Sequence, residues 1–493
     1  MQPALFGRLS IRIRSSAFLK KVVQGTFWMS LGSVVSGALM SLASVLLARL
    51  LSPSEFGEFG MVKSTIDNFL IFASMGIGLT TTKYISELKD TDKAQASSML
   101  GTALGLVLPL SLAVALLLAG GSNYLATEVL GNAKLQLPLV LGGFTLVFVA
   151  VNGTQLGALL GLQAYRANAV STSLQGIFLF SGLSIGAYTG GVTGALIGNL
   201  IGIVLVSVLL QFLLRRETAK QQLQISFSNF WPNAKIIYKF ALPASLSTFI
   251  VAPTLWILNS MLVNQPAGYA ALGLYSAVLI FGMAIQLFNG AIGNALLPLL
   301  LSKTEAVSPA KAFFNYFGPW FISIGMALPL LLLPELVSLV LGHKYPIAQV
   351  LPVLALVLLS TFIIANRGGI ARELIVQNRM WLSVFSMGQW AITTLAAFYF
   401  LKEAGAVGFA ASLAIGYALN YLLLMPFFIR WKLAPAYLFY NWQVWGVWVA
   451  LLGLLYLPYA YFDQVLVRVV GALLLLLILC FSIYQLYRSC LKR

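Results

Sequence analysis

Lys63 and Asp67 fall inside an apolar run of this chain, four residues apart, so a helix would set both on one face. A charge at the centre of a bilayer costs about 2.5–3.5 kcal/mol on insertion scales. A pair kept there either handles a substrate or an ion, or is a mutual ion pair reaching toward the membrane surface. Two more cations stand in Asn366-Arg367-Gly368-Gly369-Ile370-Ala371-Arg372-Glu373, at the end of another apolar run. Guanidinium groups stay charged and can hold two oxygens of an anion at once, so Arg367 and Arg372 are candidates for gripping an anionic group. The plainer reading is charge that fixes topology. Arg49 ends the first apolar run, where it would hold such an anion or anchor the helix among head groups. Asn152, Gln155, Asn259, Gln286, Asn289 and Asn420 are uncharged polar residues within apolar runs, suited to sugar hydroxyls or to hydrogen bonds between helices.

The elements that must position these residues are membrane helices. Of 493 residues, 60% are hydrophobic and 9% charged, and mean hydropathy is +0.92. This composition excludes a soluble catalytic module and describes an all-α polytopic membrane protein. Apolar runs of spanning length lie at 22–47, 60–82, 96–118, 137–161, 170–189 and 192–214, then after a polar break at 240–263, 270–298, 313–334, 347–366, 381–401 and 405–428. A final pair covers 442–461 and 467–487, about fourteen transmembrane helices in all. Glycines recur every fourth residue at 186, 190, 194, 198 and 202, and at 153, 157 and 161, a spacing that lets helices approach closely. Pro243, Pro253, Pro298, Pro319 and Pro329 are expected to bend the later helices. Trp231, Trp320, Trp381, Trp431 and Trp442 lie near predicted helix ends and read as interfacial belt residues, and His343 with Lys344 as loop surface. One histidine, and two cysteines at 480 and 490, supply neither a metal site nor a disulfide framework. No phosphate-loop motif is present, so no cofactor is expected.

The net charge of +17 is a matter of topology rather than of nucleic-acid binding. With a cytoplasmic N-terminus, 24 Lys and Arg fall inside and 5 outside (Arg49, Lys134, Lys344, Lys402 and Arg468), with Lys63 within a span. The acids split six and six, with Asp67 in the span. A bias in Lys and Arg with none in the acids places both termini in the cytoplasm.

A fixed offset of 214 residues pairs Gly76 with Gly290, Lys89 with Lys303, Asn152 with Asn366, Gln163 with Gln377, Gln175 with Gln389 and Gly194 with Gly408. Phe56-Gly57-Glu58-Phe59 adds a shifted match to Leu272-Gly273-Leu274-Tyr275. The expected plan is two six-helix halves around a central cavity: residues 1–214, a cytoplasmic connection at 215–239, a second half at 240–432, and two additional helices in 433–493. Six crossings per repeat give both halves one orientation, which is a transporter architecture.

The stretch from Gly25-Thr26-Phe27-Trp28 to Ala48-Arg49-Leu50-Leu51-Ser52-Pro53-Ser54-Glu55-Phe56-Gly57 resembles the opening of the polysaccharide transporter (Wzx-type) flippases. Gly76-Ile77-Gly78 with Lys83-Tyr84-Ile85-Ser86-Glu87 extends the likeness. These flippases belong to the multidrug, oligosaccharidyl-lipid and polysaccharide exporter (MOP) superfamily. The resemblance implies a bacterial inner-membrane protein that turns an undecaprenyl-diphosphate-linked oligosaccharide to the outer leaflet by alternating access, making no covalent bond. Its partners would be the bilayer, that lipid, and a polymerase or ligase of the same pathway. The substrate's diphosphate is then the anion for Arg49, Arg367 and Arg372. Residues 22–47 lack the arginines expected of lipid II flippases. Residues 240–263 lack the carboxylate expected of ion-coupled multidrug exporters, the second reading. A membrane glycan polymerase or transferase, the third, would need clustered Asp, Glu, His or Arg on a sizeable outer loop, and of charged residues the loop at 119–136 holds only Glu128 and Lys134.

Overall fold

The computed structural model describes residues 17–245, 248–301, 309–377, 379–461 and 464–491. Arg8, Arg12, Arg14, Lys303, Glu305, Asp463, Lys492 and Arg493 lie outside them. The described chain is helical: α1 Ala17–Leu50, α2 Pro53–Ser74, α3 Ile77–Leu88, α4 Lys93–Gly120, α5 Gln136–Gly161 and α6 Tyr165–Lys220. There follow α7 Phe230–Ser245, α8 Thr248–Val263, α9 Gly268–Leu301, α10 Pro309–Leu332, the short α11 Glu335–Leu341, α12 Ile347–Val376, α13 Met380–Leu401, α14 Gly405–Arg430, α15 Trp442–Ala460 and α16 Val465–Leu491. Eight stretches are long and apolar enough to cross a membrane, and two of these, 165–220 and 381–430, each hold a pair of helices. With the shorter apolar helices and α2 with α3, the described residues account for about fourteen crossings. Outward-facing Leu117, Ile392, Phe400 and Leu466 are more than two-thirds exposed. An apolar belt of this kind requires lipid rather than water around it.

Local chemistry sets the element boundaries. α2 opens on a capping box: the Ser52 hydroxyl accepts from the Glu55 amide at 3.3 Å, and the Glu55 carboxylate accepts from the Ser52 amide at 2.8 Å. Pro53 stands at the first helical position, where its missing N–H costs nothing. The helix therefore starts seven residues before the apolar run, and Lys63 lies about 15 Å along it rather than one turn in. α6 is a hairpin: Gly190 (φ −145°, ψ 23°) and Gly191 (φ 58°, ψ −138°) turn the chain between its two arms. Gly191 adopts a left-handed conformation that a side chain would strain. The arms meet on bare backbone, Gly182 against Gly198 and Gly186 against Gly194, where any Cβ would run into the facing carbonyl. The four-residue glycine spacing is thus a packing device between these two arms.

α1 to α6 pack on one another, chiefly α6 on α1 and α5, and α5 on α3 and α4. Among the later helices α13 packs on α14, and α12 on α9, α10 and α14. α15 and α16 pair and lie against α10 and α12. Trp320 is a correction to the belt reading: it is fully buried on α10, its ring 4.9 Å from that of Trp448 on α15. Trp231, Trp381 and Trp442 are more than two-thirds exposed, as a belt requires.

Candidate functional site

The early and late helices meet along a seam of four, α1 and α2 against α8 and α9. At one end of the bundle, marked by Arg49, this seam is closed by backbone contact. A Cβ on Gly57 would strike the Tyr269 carbonyl, and one on Gly273 would strike that of Pro53. The two glycines matched in sequence thus face each other across the seam.

Two cations lock the same end. Arg49 Nε donates to the Val340 carbonyl at 2.8 Å and a terminal nitrogen donates to that of Leu339, both in the last turn of α11. Lys344, just past α11, donates to the carbonyls of Leu50 (2.9 Å) and Leu51 (3.1 Å) at the end of α1. A helix C-terminus leaves carbonyls without donors and carries partial negative charge. Each cation therefore caps the helix end of the opposite side. Lys344, read from sequence as surface, is half of this latch, while His343 beside it is exposed.

Further along the seam Asn259 donates to the Ser64 hydroxyl at 2.8 Å and the Trp256 indole to that of Thr65 at 3.0 Å. Asn264 reaches the Val129 carbonyl (2.8 Å) and the Tyr269 hydroxyl that of Leu130 (2.7 Å). Sequence reasoning missed Trp256, Ser64 and Thr65 because a polar atom in an apolar run does not name its partner. At the other end α7 lies on α3 and α4, and Asn233 bonds Gln95 (2.9 Å) and Ser98 (2.7 Å).

Lys63 and Asp67 pair at 2.7 Å, each side chain more than half exposed. They occupy the stripe of α2 next to the Gly57 and Gly60 face, where Gly60 approaches Ser276 of α9. Arg372 is engaged elsewhere: it donates from Nε to Asn315 Oδ1 at 2.7 Å and from a terminal nitrogen to the Asn315 carbonyl at 2.6 Å. That carbonyl is the one Pro319 leaves without its helical donor, four residues on. Arg372 therefore repairs a proline break in α10. Arg367, directly after the apolar run, lies among α12, α13 and α14 and donates to Ser386 Oγ at 3.0 Å. Asn152 donates to the Ile203 carbonyl at 3.3 Å; Asn366, 214 residues on, is fully buried with neither polar atom partnered. Gln286 and Asn289 link α9 to Thr361 and Ser323, and Gln155 bonds Gln211 at 2.8 Å. Arg49 thus lies at the seam and the Lys63–Asp67 pair stands exposed on α2, one of its helices, whereas Arg372 and Arg367 belong to the later bundle. Among the described residues, no three His, Cys, Asp or Glu side chains gather as a metal site would need.

The family of polysaccharide biosynthesis proteins matches residues 22–305, more than half of the chain and the whole seam. The chain belongs to this family. Within the polysaccharide biosynthesis proteins, it is similar to the EPS I polysaccharide export inner membrane protein EpsE of Ralstonia nicotianae, 23% identical over 274 residues. The match covers 56% of this chain and 62% of that protein, so this chain spans about three fifths of its relative's length. Among solved structures it is similar to an inward-facing multidrug resistance MATE family transporter of the MOP superfamily. That likeness has a TM-score of 0.63 at 17% identity, over 80% of this chain and 94% of the other. An outward-facing MATE family transporter gives 0.61 at 16% identity, over 84% and 95%. A MOP superfamily transporter from Pyrococcus furiosus gives 0.60 at 16% identity, over 85% and 96%. At these identities the likeness concerns the fold, which this polysaccharide biosynthesis protein shares with MOP transporters. The proteins it resembles are exporters and transporters, not enzymes.

Proposed function

We propose that the protein is an inner-membrane flippase that moves a lipid-linked oligosaccharide, anchored on undecaprenyl diphosphate, from the cytoplasmic to the outer leaflet by alternating access. Residues 1–214 and 240–432 move as two units about the α1–α2 and α8–α9 seam, with both termini cytoplasmic. The observation that carries this reading is the seam closed at the Arg49 end, within a member of the polysaccharide biosynthesis protein family. A glycan head group cannot cross hydrocarbon unaided, and a seam that opens at alternate ends supplies the polar path. The positive-inside bias makes the Arg49 end the outer one, so this conformation is closed outward. On that assignment Lys63 and Asp67, about 15 Å below the Pro53 end of α2, offer an exposed charged pair at mid-depth beside the seam. The similarity to EpsE, a polysaccharide export protein, supports the same substrate class, while the MATE fold keeps ion-coupled export of small molecules as the competing reading.

Deleting the gene should remove one surface polysaccharide and leave its undecaprenyl-linked repeat unit on the cytoplasmic leaflet. A deletion strain with normal glycan and altered drug tolerance would instead establish the competing reading.

A further inference from the structure

α7 has two unlike faces. Asn233, Ala234, Ile237 and Ala241 are buried where the helix packs on α3 and α4. On the other side Trp231, Lys235 and Lys239 follow at intervals of four, which keeps them within about 80° of one another round the helix. Trp231 is 79% exposed, and both lysines are exposed. The packing also orders these residues by depth. Phe227 and Phe230, just before Trp231, lie against Gly105, twelve residues into α4 and about 18 Å from its Lys93 end. Asn233 is bonded instead to Gln95 and Ser98, within about 8 Å of that end. α7 therefore starts deep and runs toward the Lys93 end of α4, with Trp231 at the deeper end and the two lysines about 6 and 12 Å further along. An aromatic ring followed by cations on one exposed face is the pattern of a helix that meets a lipid interface.

The protein does not balance this charge. Between Glu217 and Glu305 the sequence holds no Asp or Glu. Where α3 and α4 meet, Lys83, Lys89 and Lys93 are matched in number by Glu87, Asp90 and Asp92, which leaves no surplus acid for α7. Among the described residues neither Lys235 nor Lys239 has an ion-pair partner. Two adjacent cations beside an exposed indole thus call for a counter-charge that carries its own apolar body.

We propose that the exposed face of α7 holds an anionic phospholipid of the phosphatidylglycerol class, with its glycerol and upper acyl chain against Trp231 and its phosphate at Lys235 and Lys239. A zwitterionic lipid is disfavoured, because its ammonium group would meet the same two lysines. α7 packs chiefly on α3 and α4 rather than on the seam helices α1, α2 and α9, so this lipid is a resident on the flank of the early bundle and not the one transported. The leaflet follows from the orientation proposed above, whereas the chemistry of the site does not. The inference does not depend on which substrate crosses the seam.

The test uses the full-length protein in phosphatidylcholine vesicles, with phosphatidylglycerol or phosphatidylcholine brominated in the acyl chain and present in both leaflets, so the result is independent of orientation. Bromine quenches the fluorescence of a tryptophan it touches, and the difference between the wild type and Trp231→Phe isolates Trp231. Titrated against mole fraction, that difference should show phosphatidylglycerol preferred over phosphatidylcholine about thirtyfold, as two lysines near an anionic head group give. Lys235→Gln or Lys239→Gln alone should lower the preference to about fivefold, and the two together should abolish it. Arg430→Gln, which removes an exposed charge at the end of α14, should leave it unchanged. If the double variant does not insert, the two single variants carry the test. Equal quenching by the two lipids in the wild type, or a preference that survives the lysine variants, overturns the proposal. Displacement of brominated phosphatidylglycerol from Trp231 by undecaprenyl-diphosphate-linked oligosaccharide also overturns it, by assigning this face to the transported lipid.

Discussion

Removing both cations of the latch should open the Arg49 end. Arg49 contributes two hydrogen bonds to the last turn of α11, and Lys344 two to the end of α1. Charges at helix ends contribute about 0.3–1 kcal/mol each, and exposed charged contacts about 0.2–1 kcal/mol. Both residues are exposed, so each cation stabilises the closed seam by about 0.5–1 kcal/mol. The Arg49→Ala, Lys344→Ala double variant loses about 1–2 kcal/mol, which shifts the closed-to-open ratio about five- to thirtyfold. Spin labels at Ser54 and His343, both exposed and on opposite sides of the latch, would read this as a longer-distance population in pulsed dipolar spectra. The labels go into a background where Cys480 and Cys490 are serine. Each single variant should give an intermediate shift. A distance distribution in the double variant that matches the wild type would refute the latch and leave Gly57 and Gly273 as the whole of the closure.

Lys63→Ala should lower glycan export about tenfold, as loss of about 1.4 kcal/mol in the transport step would. Protein level should change little, because the pair is exposed, and adding Asp67→Ala should not restore export; surface glycan per unit of membrane-inserted protein reads both. Trp320→Ala should destabilise the protein by about 3–5 kcal/mol, seen as a lost folded yield in detergent, because it empties a fully buried indole site against Trp448. Reporters fused at Lys89, Gln222 and Arg430 should read as cytoplasmic and those at Asn123, Pro266 and Glu403 as external, whereas an odd number of crossings before residue 222 would break the two-unit scheme.

The spans were legible because lipid exposure demands long apolar runs, and the hairpin of α6 because Gly190 and Gly191 interrupt one. The start of α2 was not, although its capping box is written in Ser52-Pro53-Ser54-Glu55: Glu55, Gly57 and Glu58 break the hydropathy that marked the other spans. That displaced Lys63 toward the surface in the sequence reading. Trp320 looked interfacial because its shield, α15, is joined to it only in three dimensions. Arg372 looked free for an anion because nothing local says that its partner is the carbonyl orphaned by Pro319, 53 residues earlier. Hydropathy reports which segments meet lipid; it carries no record of which polar atoms meet each other. Gly57 and Gly273 are the exception, since the two glycines matched in sequence also lie face to face in the fold.

Transport of the lipid-linked glycan can be measured in vesicles that hold the purified protein as sole component, with undecaprenyl-diphosphate-linked oligosaccharide in both leaflets and a non-permeant glycan-cleaving or glycan-oxidising reagent outside. Without protein, about half of the glycan is out of reach, because the two leaflets are equally loaded and the head group cannot cross hydrocarbon. The flippase account predicts that the protein brings the protected half within reach, and that Lys63→Ala slows this step. Glycan that stays protected while the same vesicles move a small organic cation would contradict it.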